Sequence, residues 1–116
     1  MSNADAEESL VGAEISAVVF TRDYVQLQLE KQSELTLGVT FIDNPAGLVA
    51  GNWTTRQMDG WRDRLCDLIG RTIEFAAIDE QRMSFALGDD RIDLPFDKEF
   101  GPESAHLNAN DRWWVW

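Results

Sequence analysis

The apolar pattern of residues 10–39 returns in residues 68–96, and this internal repeat limits the fold more than any other feature of the chain. The stretch from Leu10 to Ile15 matches the stretch from Leu68 to Ile73. At a constant spacing of 58 positions, the pairs that follow are Val19 and Ala77, Phe20 and Ile78, Val25 and Met83, Leu27 and Phe85, and Leu29 and Leu87. One position is then lost in a turn, and at a spacing of 57 the pairs are Leu35 and Ile92, Leu37 and Leu94, and Val39 and Phe96. A repeat of this length predicts two copies of one β unit that cover each other.

Each copy is predicted to be a three-stranded antiparallel meander. In the middle strand of the first copy, Val25, Leu27 and Leu29 alternate with polar residues, which is the period of a strand with one wet face. The second copy repeats the pattern, and Gly88-Asp89-Asp90 between its last two strands is a hairpin signal. Pro95 cannot donate to a ladder, so its strand is expected to lie at an edge or to end there. Two more strands are expected, over about 103–107 and 112–116.

A helix is predicted between the two copies. Thr54 and Gln57 have the spacing of a capping box, and the helix is expected to run to Ile69, with Asp59 as a second choice of N-cap. Its apolar residues recur at intervals of three and four and so share one face: Met58, Trp61, Leu65 and Leu68. Polar residues Arg62, Asp63, Arg64 and Asp67 are expected to face away. Gly70 follows as the natural residue to end the helix.

The predicted fold class is therefore mostly β, of the α+β type, with the two meanders forming a small barrel or a twisted sheet. The barrel is favoured because it removes exposed strand edges. At 116 residues the chain is expected to be one domain, over 10–116. It divides into a first repeat (about 10–42), a loop and helix (43–69), a second repeat (70–100) and C-terminal strands (103–116). Residues 1–9 are expected to be disordered or derived from a tag.

The charge of the chain narrows the classes of partner. The formal net charge is −11, with 21 acidic and 10 basic residues, and it repels nucleic acid and anionic membranes. It would attract a basic protein, although acidity also serves solubility alone. No apolar stretch is long enough to span a bilayer and no signal peptide is recognised, so a cytoplasmic protein is expected. The single cysteine, Cys66, excludes an intrachain disulfide and is expected in the core.

No catalytic or cofactor motif is found, and we expect a protein that is not an enzyme and holds no cofactor or metal. Ser104 and His106 are two positions apart and would share a face of a strand, but no nucleophile-elbow glycines surround the serine. One histidine and one cysteine exclude the common zinc patterns. Phosphate-binding glycine motifs are missing from the sequence.

Acidic turns and a C-terminal tryptophan cluster are the candidate partner-binding features. On a strand, Trp114 and Trp116 share one face and Trp113 takes the other, so at least one of them is expected to be exposed or to cover the open end of the sheet. The carboxylates of the second copy would form a negative rim around this aromatic surface if the hairpin tips lie close together. Charge would steer a basic partner and an aromatic side chain would anchor it. The candidate residues are Asp79, Glu80, Asp89, Asp90, Asp93, Trp113, Trp114 and Trp116.

The double meander and the closing segments Pro102–Leu107 and Trp113–Trp116 resemble small bacterial immunity proteins of contact-dependent and polymorphic toxin systems. The resemblance implies a cytoplasmic inhibitor that caps a toxin domain, often a basic nuclease, with an acidic surface. It assigns no role to any single residue. Two other hypotheses stay open: a structural or regulatory adaptor that forms a homodimer through a strand edge, and a carbohydrate or small-ligand module that uses the tryptophan cluster.

Overall fold

The structure, a computed structural model, describes residues 3–21, 24–32, 34–42, 47–50, 61–96, 105–110 and 112–116. Two helices and nine strands lie in these ranges. In chain order they are α1 (Asn3–Leu10), β1 (Glu14–Phe20), β2 (Tyr24–Lys31), β3 (Glu34–Ile42), β4 (Gly47–Ala50), α2 (Trp61–Cys66), β5 (Phe75–Ile78), β6 (Arg82–Leu87), β7 (Asp90–Pro95), β8 (Ala105–Ala109) and β9 (Arg112–Val115). The prediction of a mostly β, α+β chain is confirmed.

The strands form two antiparallel sheets. The five-stranded sheet has the order β1-β2-β3-β8-β9, and the four-stranded sheet has the order β4-β7-β6-β5. Each half of the chain thus supplies one meander, β1-β2-β3 to the first sheet and β5-β6-β7 to the second. The C-terminal hairpin then extends the first sheet, because β8 pairs with β3. β7 lies inside its sheet and ends at Pro95, as one of the two expectations for that proline required.

The two meanders agree in register in their first two strands and differ in the third. Val19 lies opposite Gln26, and Ala77 lies opposite Ser84, 58 positions later in both strands. In the next pairing, Leu27 lies opposite Val39, but Phe85 lies opposite Ile92, which is 53 positions after Val39. The predicted spacing of 57 for the third strand is therefore wrong. The physical reason is that the second hairpin turns earlier: β6 ends at Leu87, 58 positions after Leu29, and the chain turns at Gly88 with a φ of +68°, whereas β2 continues to Lys31 before it turns.

The closed barrel favoured from the sequence is not formed. The sheets meet at one corner, where Ala13 and Ile15 exchange backbone hydrogen bonds of 2.8–2.9 Å with Ile73, Arg71 and Gly70. At the other corner β4 and β9 do not pair within the described residues. The Phe96 ring, which follows β7, stacks on the Trp116 ring, which follows β9, with centroids 6.2 Å apart and planes 8° apart, so the two sheets contact each other there through side chains.

The N-terminal segment is a helix, in contrast to the disorder that was one of the two expectations for it. Ala6 and Leu10 of α1 are fully buried. The Glu7 carboxylate accepts a hydrogen bond of 2.6 Å from the backbone N–H of Ile78, and Trp116 Nε1 donates to Asn3 Oδ1 at 3.0 Å. The expectation failed because a segment with so few apolar residues gains its stability from contacts with distant strands, which leave no local pattern.

The interior lies between the two sheets. On β2 the predicted alternation is confirmed, since Val25, Leu27 and Leu29 are buried. Leu65 of α2 and Leu68 in the turn after it are buried as expected. The helix ends at Cys66, before the predicted end at Ile69, and Gly70, with a left-handed φ of +91°, closes the turn that follows. The predicted start at residues 54–59 lies outside the described residues. No helix of the described chain is long and apolar enough to cross a membrane.

Candidate functional site

The acidic hairpin tips lie at two separate ends of the four-stranded sheet. Asp79 and Glu80 are in the turn before β6, and Asp89 and Asp90 are at the turn after it. Because β6 is six residues long, these turns are about 20 Å apart at 3.3 Å per residue. The structure therefore does not bring the four residues together into one rim.

Three of the candidate carboxylates already have partners inside the protein. Asp79 Oδ1 accepts from the N–H groups of Gln81 and Arg82 at 2.7 and 2.9 Å, and these bonds hold the pKa of Asp79 below its ordinary value. Asp90 pairs with Arg71 at 3.0 Å. The carboxylates of Asp79 and Asp90 therefore stabilise turns of this chain and are already engaged before any partner protein binds.

Asp93 is held in the middle of the four-stranded sheet. It accepts a short hydrogen bond from the hydroxyl of Ser84 and a second bond of 3.2 Å from Arg91 Nε. Of the candidate acids in the second copy, only Glu80 and Asp89 are exposed and have no side-chain hydrogen bond or ion pair with another described residue.

The three C-terminal tryptophans divide between the core and the surface. Trp114 is 5% exposed and is part of the core, with the Arg112 guanidinium 5.4 Å from its ring centroid. Trp116 is half-buried against Phe96. Trp113 points to the other side of β9 and is 60% exposed, with its ring edge-on to His106 at 6.3 Å. The predicted division of faces is confirmed, and Trp113 alone of the three is available as an anchor.

Trp113 belongs to a row of side chains across the outer face of the five-stranded sheet. The register places Ala17 opposite Gln28, Gln28 opposite Gly38, Gly38 opposite Asn108 and Asn108 opposite Trp113. Directly paired residues project from the same face of a sheet. The row is polar at its centre, lacks a side chain at the glycine, and ends at an exposed indole.

A groove of about 430 Å³ opens over that glycine, and we call it the Gly38 groove. The residues that line it are Ser16, Gln26, Gln28, Leu29, Glu30, Leu37, Gly38 and Asn108. Its glutamines are linked in a chain, because Gln28 Nε2 donates to Gln26 Oε1 at 3.5 Å and Gln26 Nε2 donates to Thr40 Oγ1 at 3.3 Å. Each of these amides carries both hydrogen-bond donors and an acceptor.

Two glutamates lie side by side at one end of the groove. Glu14 of β1 is directly opposite Glu30 of β2, which lines the groove. Within the described residues neither carboxylate forms a salt bridge or a hydrogen bond through its side chain. Like charges placed directly opposite on a sheet repel each other. Sequence analysis missed this pair because its register depends on a bulge between Ile15 and Ala17.

The outer face of the four-stranded sheet holds a second groove, of about 320 Å³. Its floor is made of small residues, and Phe75 at its rim is 61% exposed. The lining residues are Phe75, Ala77, Asp79, Arg82, Ser84, Phe85, Ala86 and Arg91. Arginines and carboxylates both border this groove, so its charge is mixed.

The remaining chemical candidates do not form a site in the described chain. Ser104 lies outside the described residues, so the serine–histidine pair is not seen. Cys66, expected in the core, is exposed, because it ends α2 on the side away from Leu65 and Leu68. Among the described side chains no group of three His, Cys, Asp or Glu is placed to hold a metal ion.

Comparison of the chain with known protein families, characterised proteins and solved structures finds no match.

Proposed function

We propose that this chain is a non-enzymatic binding protein of the immunity type, which neutralises a basic toxin domain by covering it with the outer face of the five-stranded sheet. The observation that carries the proposal is the Glu14–Glu30 pair on the same face as exposed Trp113: two exposed carboxylates that have no basic partner among the residues the structure describes. The glutamate pair and Trp113 all lie on strands, so binding a partner need not order the backbone that carries them.

The two features have different physical roles. Unpaired carboxylates in a protein of net charge −11 attract a basic surface from a distance and raise the association rate. An exposed indole supplies the apolar contact that holds the complex, as tryptophan does at many interfaces. From the strand spacing, Glu30 and Trp113 are roughly 15 Å apart, which fits within one interface of about 800 Å² per partner.

Other exposed apolar groups extend this face around the tryptophan. Val115 is 50% exposed and lies opposite His106, and Tyr24 at the start of β2 is also exposed. In this proposal, the five hairpin acids named from the sequence (Asp79, Glu80, Asp89, Asp90 and Asp93) add to the long-range field. Direct contact is made by Glu14, Glu30 and Trp113.

We also propose a cellular compartment for the protein and an evolutionary origin for its two meanders. An inhibitor of a toxin that acts inside the cell would be cytoplasmic. The matching register of the first hairpins, β1-β2 and β5-β6, supports descent of the two meanders from one duplicated unit. Loss of residues at the β6-β7 turn would account for the shifted third strand.

The first test is capture of a partner from a lysate of the source organism, with the purified protein as bait at low and then moderate salt. We expect one basic protein at near-stoichiometric yield, released by salt because its contacts are ionic. The double variant Glu14→Lys with Glu30→Lys should lose it. The matched control is Glu80→Lys with Asp89→Lys, which changes the net charge equally but at exposed turns of the other sheet, and it should retain most of the partner.

The second test asks whether binding is protective. The captured protein is expressed alone and together with this chain, and growth is measured. Arrest by the partner alone, relieved by the wild-type chain and not by the Glu14/Glu30 variant, would support the immunity role. A harmless partner would overturn that role and leave a binding protein of another kind. Recovery of nothing but the bait would favour the homodimer or the small-ligand hypothesis.

A further inference from the structure

Gly38 is not required by the backbone that contains it. It lies inside β3 and pairs regularly with Gln28 on one side and Asn108 on the other. It is not among the glycines with positive φ. A Cβ at this position would meet the Leu27 carbonyl oxygen at 3.4 Å and Gln26 Nε2 at 3.9 Å, which are ordinary contacts. A Cβ would therefore fit, with its contact to Leu27 at the short limit of ordinary van der Waals distance.

A glycine in such a place weakens the strand. Glycine inside a strand costs about 0.5–1 kcal/mol relative to alanine, because it loses more backbone freedom on folding. Where no bulge or turn explains it, an interior glycine often marks a place that a ligand or another backbone approaches closely. In the structure, the missing side chain at Gly38 leaves the floor of the Gly38 groove open.

The chemistry of the groove suits a planar cation. Glu30 supplies a carboxylate at one end, next to Glu14. The amides of Gln26, Gln28 and Asn108 supply neutral acceptors along the walls. Guanidinium is planar, carries five N–H donors in a fixed fork and pairs with carboxylates through two bonds. It would also relieve the repulsion between the two glutamates.

We propose that the Gly38 groove binds an arginine side chain of the basic partner. This inference rests on the proposed function, since it assigns to that interface its central contact. Lysine fits less well because its ammonium is a strongly hydrated point charge that cannot use the spread of acceptors. A neutral sugar would leave the two glutamates uncompensated. Trp113, two strands away from Gly38, contacts the partner beyond the arginine.

The experiment is an NMR titration of the whole chain at low salt with short acetylated, amidated peptides of sequence Gly-Arg-Gly. Matched probes carry citrulline, which has the same shape without the charge, or lysine; a disaccharide tests the sugar hypothesis. We expect the arginine peptide to shift the backbone signal of Gly38 and the side-chain amide signals of Gln26, Gln28 and Asn108. For one side chain a dissociation constant of about 1 mM is expected, with citrulline at least about tenfold weaker.

Variants test whether the groove is the site. Gly38→Val fills the floor and should abolish the shifts, while its thermal midpoint stays equal to wild type or rises. Ala77→Val makes a similar addition on the outer face of the other sheet and should leave binding unchanged. Glu30→Gln should weaken the arginine peptide to the level of citrulline. Equal binding of arginine and citrulline, tighter binding of the disaccharide, or full binding by a folded Gly38→Val protein would each overturn the inference.

The two proposals fail in different ways. If the lysate partner is captured by both wild type and Gly38→Val, and lost with Glu14→Lys and Glu30→Lys, the proposed function stands and the arginine inference fails. If no basic protein is captured but the arginine peptide shifts the groove signals, the proposed function fails, and the groove is an arginine site that serves another ligand.

Discussion

The outer faces of the two sheets carry the same kinds of polar side chain in opposite states. On the four-stranded sheet, Asp93 is satisfied by Ser84 and Arg91, and Asp79 is satisfied by two backbone N–H groups. On the five-stranded sheet, Glu14 and Glu30 face each other and have no such partners among the described residues. Net charge treats all four carboxylates alike, whereas the structure separates those that hold the fold from those available to a partner.

A binding surface can evolve with little loss of folding stability where its carboxylates have no hydrogen-bond partners in their own chain. A carboxylate that accepts hydrogen bonds from its own chain must lose them before it contacts another protein. An unpaired carboxylate beside a like charge gains from any cation that arrives. Glu14 and Glu30 of the five-stranded sheet are in this second state among the described residues, which is why the proposed function uses them.

The largest expected effect contrasts two neighbouring residues of β9. Trp114→Ala should destabilise the protein by about 3–5 kcal/mol, because it empties a site in the core. Trp113→Ala should change the free energy of unfolding by less than about 0.5 kcal/mol, because its indole is exposed. Urea denaturation of both variants measures the difference. A loss of more than about 2 kcal/mol in Trp113→Ala would mean that both faces of β9 belong to the fold.

A smaller effect is expected at the paired carboxylate of the four-stranded sheet. Asp93→Ala removes the acceptor of the Ser84 hydroxyl, which is only 7% exposed, and should cost about 1–3 kcal/mol. Adding Ser84→Ala to the Asp93→Ala variant should recover part of this lost stability, because no buried hydroxyl is then left without a partner. Asp89→Ala, at an exposed turn, is the control and should be near neutral. The same denaturation experiment reads all three.

On the five-stranded sheet the sign should reverse. Glu14→Gln removes one of two opposed charges and should stabilise the protein by about 0.2–1 kcal/mol at low salt. The gain should shrink in 0.5 M salt, where screening weakens the repulsion that the variant relieves. Glu80→Gln also removes one negative charge, but at an exposed turn, and its gain in stability should be smaller. A destabilised Glu14→Gln protein would show that this glutamate has a structural partner, and the contrast between the faces would fail.

Local patterns in the sequence predicted the parts of the fold that depend on neighbours along the chain. Alternation predicted the buried Val25, Leu27 and Leu29, and glycine chemistry predicted the turns at Gly70 and Gly88. The α1 helix, the β3-β8 pairing and the open corner depend on residues far apart in sequence, for which no local pattern exists.

The candidate site was predicted in part for the same reason. Trp113 was recognised because strand periodicity separates it from Trp114. The two acidic turns, Asp79-Glu80 and Asp89-Asp90, do not meet, because successive turns of a meander lie at opposite ends of a strand. The Glu14–Glu30 pair and the floor at Gly38 come from strand register and from Asn108 of a distant strand, which composition does not show.

The smallest effect concerns Asp79, whose hydrogen bonds to Gln81 and Arg82 lower its pKa below the ordinary 3.8. A carboxylate with a lowered folded-state pKa stabilises the protein above its unfolded pKa, and this contribution is lost as the pH falls through the folded value. Asp79→Ala should therefore be less stable than wild type at pH 7, with a gap that stays constant down to about pH 5 and narrows below 3.8. Asp79→Asn keeps an acceptor oxygen without the charge, and its stability at pH 7 should lie between those of wild type and Asp79→Ala. Urea unfolding at pH 7, 5 and 3 measures this difference in stability. A difference that stays unchanged at pH 3 would show that the turn depends on the shape of the Asp79 side chain and not on its charge.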